Sequence, residues 1–387
     1  MRVLVAGWVG STNLGDELVF AGLRRLLAEV AAERGEDVEV AVISRDPAAT
    51  RREHGVGAVS HADLAGVVRA VGQADAVLFG GGGLLQDTTS PFNLPYHLSR
   101  VVLARLRGTP FAGIGLGAGA LDTRLGRAQV TRALAPAVGV TVRDEESRAL
   151  LDELGVADVR LASDLAFALA DGPEAGGRDG PLGASPAGDA GGATGPDEGG
   201  GEHLAVCLRP WSGQRGRLPA AARGDATPEP HVAALAAGLD RIADEHALAV
   251  RFVAVQRDRD EAFHRRVAER MRTPVDHVAP GLDELVGEVA GAAAVVSMRF
   301  HGGVAAVLGG RPVVLIDYAA KVGSLAGELG AGGALLPWDA GALAELPAAF
   351  ARVVDHGEEV LAARERLVAR QSENRALLHR LLEVARG

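Results

Sequence analysis

The chain has 387 residues, 48% of them hydrophobic, and a net charge of −10. That length fits two domains with a core each, and the acid excess argues against a nucleic-acid binder held by a broad basic face. Its one cysteine, Cys207, excludes an internal disulfide, and no uninterrupted apolar run reaches the ~20 residues needed to cross a bilayer.

In chain order, short apolar runs alternate with longer amphipathic stretches, which predicts parallel strands buried on both faces with helices packed outside. The strand candidates of the first half are RVLVAGW, VEVAVIS, DAVLFGG, PFAGIGLG, GVTVRD and VRLASD. Residues 171–201 then hold 12 glycines and four prolines with almost no large apolar side chain. Such a segment cannot bury enough surface to offset its chain entropy and is expected to be a flexible linker. The alternation resumes with HLAVCLRP, LAVRFVAVQ, AAAVVSMRF and RPVVLIDY, and residues 357–386 read as helix. The expected architecture is α/β: two Rossmann-like domains with parallel sheets, spanning 1–170 and 202–387, with a cleft between them and a terminal helix that can pack on either. The opening MRVLVAGWVG lacks the basic region, apolar stretch and cleavage site of a secretory signal, so a cytoplasmic location is expected.

In open parallel sheets, ligands bind beyond the carboxyl ends of the strands. The distinctive residues of this chain fall at those ends. Asn13 and Asp16 lie in GWVGSTNLGDE after the first strand, and Gly82 and Gly83 close the run Gly80–Gly83, where bare backbone and a following helix N-terminus would favour an anion, with a tight turn for helix–sheet packing as the competing role. Arg143 ends another strand in TVRDEES, where an ion pair with Asp144 or Glu145 is the competing role. In SMRFHGG the strand is expected to end near Phe300, with His301 at the mouth of the next helix. There Arg299 has a fork suited to carboxylate or phosphate, and His301 is suited to proton transfer near neutrality. Lys321 is the one lysine against 39 arginines, which suggests a site that rejects the broad, planar guanidinium. GIGLGA at 113–118 fits a loose dinucleotide pattern but lies after a middle strand without the acidic residue such a site needs, and there is no Walker A motif. No His/Asp/Glu cluster has the spacing of a metal site, so neither a metal nor a cofactor is expected. Cys207, set in an apolar run, reads as a small buried hydrophobe.

Taken in order along nearly the whole chain, GWVGSTNLGDE, FGGGGLLQD, TVRDEES, CLRPW, SMRFHGG and IDYAAKVGS resemble the polysaccharide pyruvyl transferases, above all the bacterial type that modifies cell-wall polymers for attachment of surface-layer proteins. The resemblance implies a glycosyltransferase-B-like fold, phosphoenolpyruvate as donor and a sugar as acceptor, expected to be an N-acetylhexosamine of a lipid-linked or polymeric glycan. It points to Arg143, His301 and Lys321 as donor-site or catalytic residues, with Arg299 in the same motif. With the strand-end reading, His301 and Lys321 are the expected catalytic residues, and Arg143, Arg299, Asn13, Asp16, Gly82, Gly83 and Arg209 the expected substrate-binding ones. The insert at 171–201 is unusually long for the family. Forming a pyruvate ketal requires cations for the donor, a proton on its methylene carbon, and addition of two sugar hydroxyls with loss of phosphate. His301 is suited to act as the acid or as the base. A nucleotide-sugar glycosyltransferase and an inactive glycan- or anion-binding protein are the alternatives. Without a polybasic segment, only a transient association with the inner face of a membrane is expected.

Overall fold

The computed structural model describes residues 1–87, 92–170, 203–212 and 227–387. The expected linker at 171–201 lies outside them. In the first unit the strands are β1 (Arg2–Val9), β2 (Glu39–Ser44), β3 (Gly57–Ser60), β4 (Ala76–Leu85), β5 (Phe111–Ala118), β6 (Val140–Val142) and β7 (Val159–Leu161). They form one parallel sheet in the order β3-β2-β1-β4-β5-β6-β7. The second unit contains β8 (His203–Cys207), β9 (Ala249–Val253), β10 (Val275–Val278), β11 (Ala294–Ser297), β12 (Val313–Asp317) and β13 (Gly333–Pro337), parallel in the order β10-β9-β8-β11-β12-β13. In both sheets the chain starts at the centre, winds outward to one edge, then returns across the first strand to build the other. The order reverses between β1 and β4 and between β8 and β11, so each sheet has its switch point where the loops after β1 and β11 emerge.

Central strands read as continuous apolar runs because helices cover both faces. Val77, Leu78, Phe79, Val295 and Val296 are fully buried. β3, β10 and β13 are edge strands, half wet and weakly patterned, and the expected strands did not include them.

The two units meet through backbone and side chains. Leu14 N–H donates to Val255 C=O at 2.9 Å, Asn13 forms an isolated antiparallel bridge with Gln256, and Thr12 Oγ1 donates to Asp258 Oδ1 at 2.7 Å. The short 3-10 helix Leu165–Leu169 puts Phe167 and Leu169 in one apolar cluster with Val304, Leu308 and Leu367 of the second unit. The terminal stretch divides at Arg370. Helix Gly357–Ala369 packs Val360 and Leu367 onto the second unit, whereas helix Gln371–Arg386 packs Leu377, Leu378, Leu381 and Leu382 with Val3, Val5 and Leu27 of the first. A boundary that keeps all of 202–387 together therefore separates the last helix from the sheet it covers. Among the described residues, no helix is long and apolar enough to cross a membrane.

Candidate active site

β11 ends at Ser297, three residues earlier than the sequence pattern suggests. Arg299 takes extended backbone as N-cap of helix Phe300–Leu308, so His301 stands in that helix's first turn. Two glycines let that turn pack closely, Gly302 against β8 and β11 and Gly15 against the imidazole. A Cβ on Gly302 would fall 2.5 Å from Ser297 Oγ and 2.8 Å from Cys207 Cβ, and a Cβ on Gly15, from the first unit, would fall 2.0 Å from His301 Nδ1. The imidazole is 6% exposed, and its Nε2 lies 3.7 Å from Asp164 Oδ2, an ion-pair separation too long for a hydrogen bond.

Asp164 is where the two units join chemically. Its Oδ2 accepts from Arg143 Nη1 at 3.0 Å and its Oδ1 from Ala166 N–H at 3.1 Å, while Gln371 Nε2 in the last helix donates to its carbonyl at 2.7 Å. Burial opposes ionisation of this carboxyl. His301, Arg143 and the Ala166 N–H outweigh it and hold the group well below the usual carboxylate range. Arg143 thus finds its main internal partner in Asp164, with Asp144 secondary at 3.5 Å. Its Nη2 runs beside bare backbone, 3.7 Å from the Cβ position of Gly83 and 2.8 Å from that of Gly117. Side chains at those glycines would crowd the guanidinium.

Phe300 gathers the cations. The Arg143 guanidinium carbon lies 4.5 Å from the Phe300 ring centroid, Lys321 Nζ 5.5 Å, and the His301 ring 5.0 Å. The loop after β12 carries Tyr318 and leads into helix Ala320–Leu329, which holds Lys321 in its first turn. Tyr318 links Lys321, 5.9 Å from its ring centroid, to Arg209 after β8, whose Nη1 donates to the phenol oxygen at 3.2 Å. Arg143 Nε, Arg209 Nε and His301 Nε2 are buried polar atoms without a hydrogen-bond partner. A site with such unspent donors is suited to an anion.

The structure brings together Arg143, His301, Lys321 and Arg209, and places Gly83 beside Arg143. It gives the other expected residues different duties. Arg299 is not free to clamp a ligand: its fork grips Asp260, with Nε 3.1 and 3.0 Å from Oδ1 and Oδ2 and Nη2 on Oδ1 and Gln256 Oε1. A guanidinium that is 5% exposed needs a carboxylate from its own chain. Asn13 caps helix Leu14–Arg34 through Gly15 N–H and donates from Nδ2 to Asp16 Oδ2 at 2.8 Å, so both side chains are engaged with the loop at the junction. The glycine run does not end a strand before a helix. It lies inside β4, with positive φ at Gly80, Gly81 and Gly82, and among the described residues the next helix begins at Asn93. Gly82 has open space around its Cβ position.

Sequence reasoning did not single out Asp164, Phe300 or Gly15 as site residues. Asp164 ends a strand candidate, as Arg143 does, and that position was the signal available. Cys207 is fully buried and its thiol is pushed up to about 12 by burial, which leaves it inert as a nucleophile. Contrary to the expectation from spacing, Glu17, Glu53 and His54 bring ligand-type atoms within 4.8 Å of one another. His54 Nε2 and Glu17 Oε2 are spent on a mutual hydrogen bond of 2.9 Å, and Glu17 Oε1 accepts from Ser11 N–H, so the cluster reads as a brace for the first loop.

The whole architecture is shared with solved structures at low identity. These include S. aureus MnaA with UDP (TM-score 0.60, 11% identity, 96% of each chain) and Anabaena HepE with UDP-glucose (0.58, 13%, 97% of this chain and 98% of that one). UDP-GlcNAc 2-epimerase from Methanocaldococcus jannaschii gives a TM-score of 0.55 at 10% identity, over 89% of this chain and 91% of that one. The fold is therefore glycosyltransferase-B-like, with two parallel-sheet units. No curated protein matches the chain. The family model for polysaccharide pyruvyl transferase matches residues 13–319, from the N-cap of the first helix to the loop that leads to Lys321, and the chain accordingly belongs to the polysaccharide pyruvyl transferase family and is a transferase.

Proposed function

We propose that this protein transfers a pyruvyl group from phosphoenolpyruvate to two hydroxyls of a sugar in a cell-envelope polysaccharide precursor, forming a ketal and releasing phosphate. Within a pyruvyl transferase, the supporting observation is the convergence of Arg143, His301 and Lys321 around Phe300. The donor carries a carboxylate and a phosphate, and the Lys321 ammonium and the Arg209 guanidinium supply the opposing charge, with Arg143, already paired with Asp164, adding a donor not used in a hydrogen bond. His301 stands next to that cluster, 3.7 Å from Asp164 Oδ2, where an acid for the donor's methylene carbon is required. Protonation there makes the adjacent carbon electrophilic toward the acceptor hydroxyl. Internal neutralisation by arginine and lysine gives the reaction no need of a metal, and no cofactor beyond the donor is proposed.

The acceptor is taken to be an N-acetylhexosamine on a lipid-linked or polymeric glycan, of the kind used to anchor surface-layer proteins. The enzyme would meet it in the cytoplasm, at the inner face of the membrane. The nucleotide-sugar alternative has only the shared fold behind it, and fold does not fix function.

The test is calorimetry of the purified protein against phosphoenolpyruvate and against nucleotide sugars, followed by phosphate release in the presence of a glycan acceptor and excess chelator. Binding of phosphoenolpyruvate and chelator-resistant turnover are expected. His301→Gln should lower turnover roughly 10²–10⁴-fold while donor affinity changes less. Binding of a nucleotide sugar without phosphoenolpyruvate would replace this reading with the alternative.

A further inference from the structure

Tyr318 has no part in the scheme above, yet it occupies the middle of the cationic cluster. It is one of two tyrosines in the chain and precedes Lys321 by three positions. Its ring meets Trp211 edge-on at 5.3 Å, the Arg209 guanidinium carbon is 4.7 Å from its centroid, and its hydroxyl oxygen accepts from Arg209 Nη1. The phenol is half-buried.

Cations outnumber the acids around it, and the acids have other partners. Lys321 approaches from helix Ala320–Leu329, Arg209 from the segment after β8, and Arg299 from the end of β11. The one acid adjoining it in the chain, Asp317, spends Oδ1 on Ala319 N–H, and Asp260 is spent on Arg299. An oxygen that already accepts from Arg209, on a ring with the Lys321 ammonium 5.9 Å from its centroid, is better placed to carry negative charge than to donate a proton.

We propose that Tyr318 is a proton-transfer residue of the pyruvyl transfer: its phenolate takes the proton of the first acceptor hydroxyl as that oxygen bonds to C2 of the donor. The inference rests on the pyruvyl-transfer reading. His301, as imidazolium, delivers a proton to C3 and the donor's double bond is consumed. When the second hydroxyl attacks C2, its proton restores the imidazolium of His301. The C2–phosphate bond breaks, and the phosphate leaves with the proton held by Tyr318. Of the two hydroxyl protons lost, one is balanced by the new methyl hydrogen and the other departs on phosphate, so both side chains return to their starting states. Electrostatics agree with the geometry. Burial alone would raise the phenol, but Lys321, then Arg209 and Arg299, bring it down to about 7.

The experiment uses the ultraviolet absorption of tyrosinate. Tyr96→Phe leaves Tyr318 as the single tyrosine, and a tyrosinate transition near neutrality is expected, absent from Tyr318→Phe and moved upward by saturating phosphoenolpyruvate, whose charge opposes ionisation. Tyr318→Phe should also lose roughly 10²–10⁴-fold in kcat, with a smaller change in donor KM, and should lose the acid limb of the pH–rate profile. A Tyr318 transition at the ordinary ~10, or a Tyr318→Phe enzyme within about threefold of wild-type kcat, overturns the inference. Failure of the wild-type enzyme to release phosphate from phosphoenolpyruvate would instead remove the reading on which it rests.

Discussion

Gly15 and His301 come from different units and leave no space between them: a Cβ on the glycine would sit 2.0 Å from the imidazole Nδ1 and 2.8 Å from its Cβ. The first turn of helix Leu14–Arg34 is thereby pressed onto the first turn of helix Phe300–Leu308, and the histidine's position depends on how the two units dock.

Gly15→Ala is expected to push the imidazole aside or part the units. Overpacking of this kind costs about 1–3 kcal/mol, and a displacement of ~1 Å in a reacting group costs on the order of 10²-fold in rate. Thermal unfolding and kcat measured on the same preparation check this. A variant with wild-type turnover would show that His301 need not be held where it is.

Lys321→Arg should impair transfer nearly as much as Lys321→Ala. The Lys321 ammonium fits between the rings of Phe300 and Tyr318, and a guanidinium is broader and donates in a fixed plane. Losing a charge-assisted contact costs roughly 1.5–3 kcal/mol, so kcat/KM should fall about tenfold or more. Wild-type kcat/KM in Lys321→Arg would mean that charge alone matters there.

Asp164→Asn should destabilise the fold by about 3 kcal/mol at neutral pH, because Arg143 loses its principal buried partner. The pH dependence has a definite sign. The folded state holds this carboxyl below its ordinary 3.8, so its contribution is fully present above that value and is lost as the pH falls below it. Denaturant midpoints of wild type and variant should therefore converge below about pH 4. A constant gap across that range would assign the ionised carboxylate no special part.

Asp260→Ala removes the carboxylate that the Arg299 fork holds and leaves a buried guanidinium with Gln256 as its remaining side-chain partner. Stability should fall by about 3–5 kcal/mol. Since Arg299 is read here as a pin, any folded fraction should keep donor affinity close to wild type. A large loss of phosphoenolpyruvate affinity in a normally stable variant would return Arg299 to the ligand.

Alternating apolar runs are a local property, and they were enough to read the parallel-sheet architecture and the central strands of both sheets. Strand-end position likewise drew attention to Arg143 and His301, and composition to Lys321, and the fold sets all three around Phe300. The wet edges β3, β10 and β13 carried too little pattern to be seen. Which cation meets which anion was beyond local signals. Arg299 and Arg143 look alike in sequence, each at a strand end, yet Asp260 meets the first and spends its fork, while Asp164, held by Gln371 of the last helix, meets the second through one Nη and leaves its Nε, 3.5 Å from Asp144, without a hydrogen bond. The side of the molecule covered by helix Gln371–Arg386, and the contact of Gly15 with His301, are of the same kind. Periodicity and turn chemistry are properties of neighbouring residues, whereas a buried charge takes its role from whichever distant group the packing of two units sets against it.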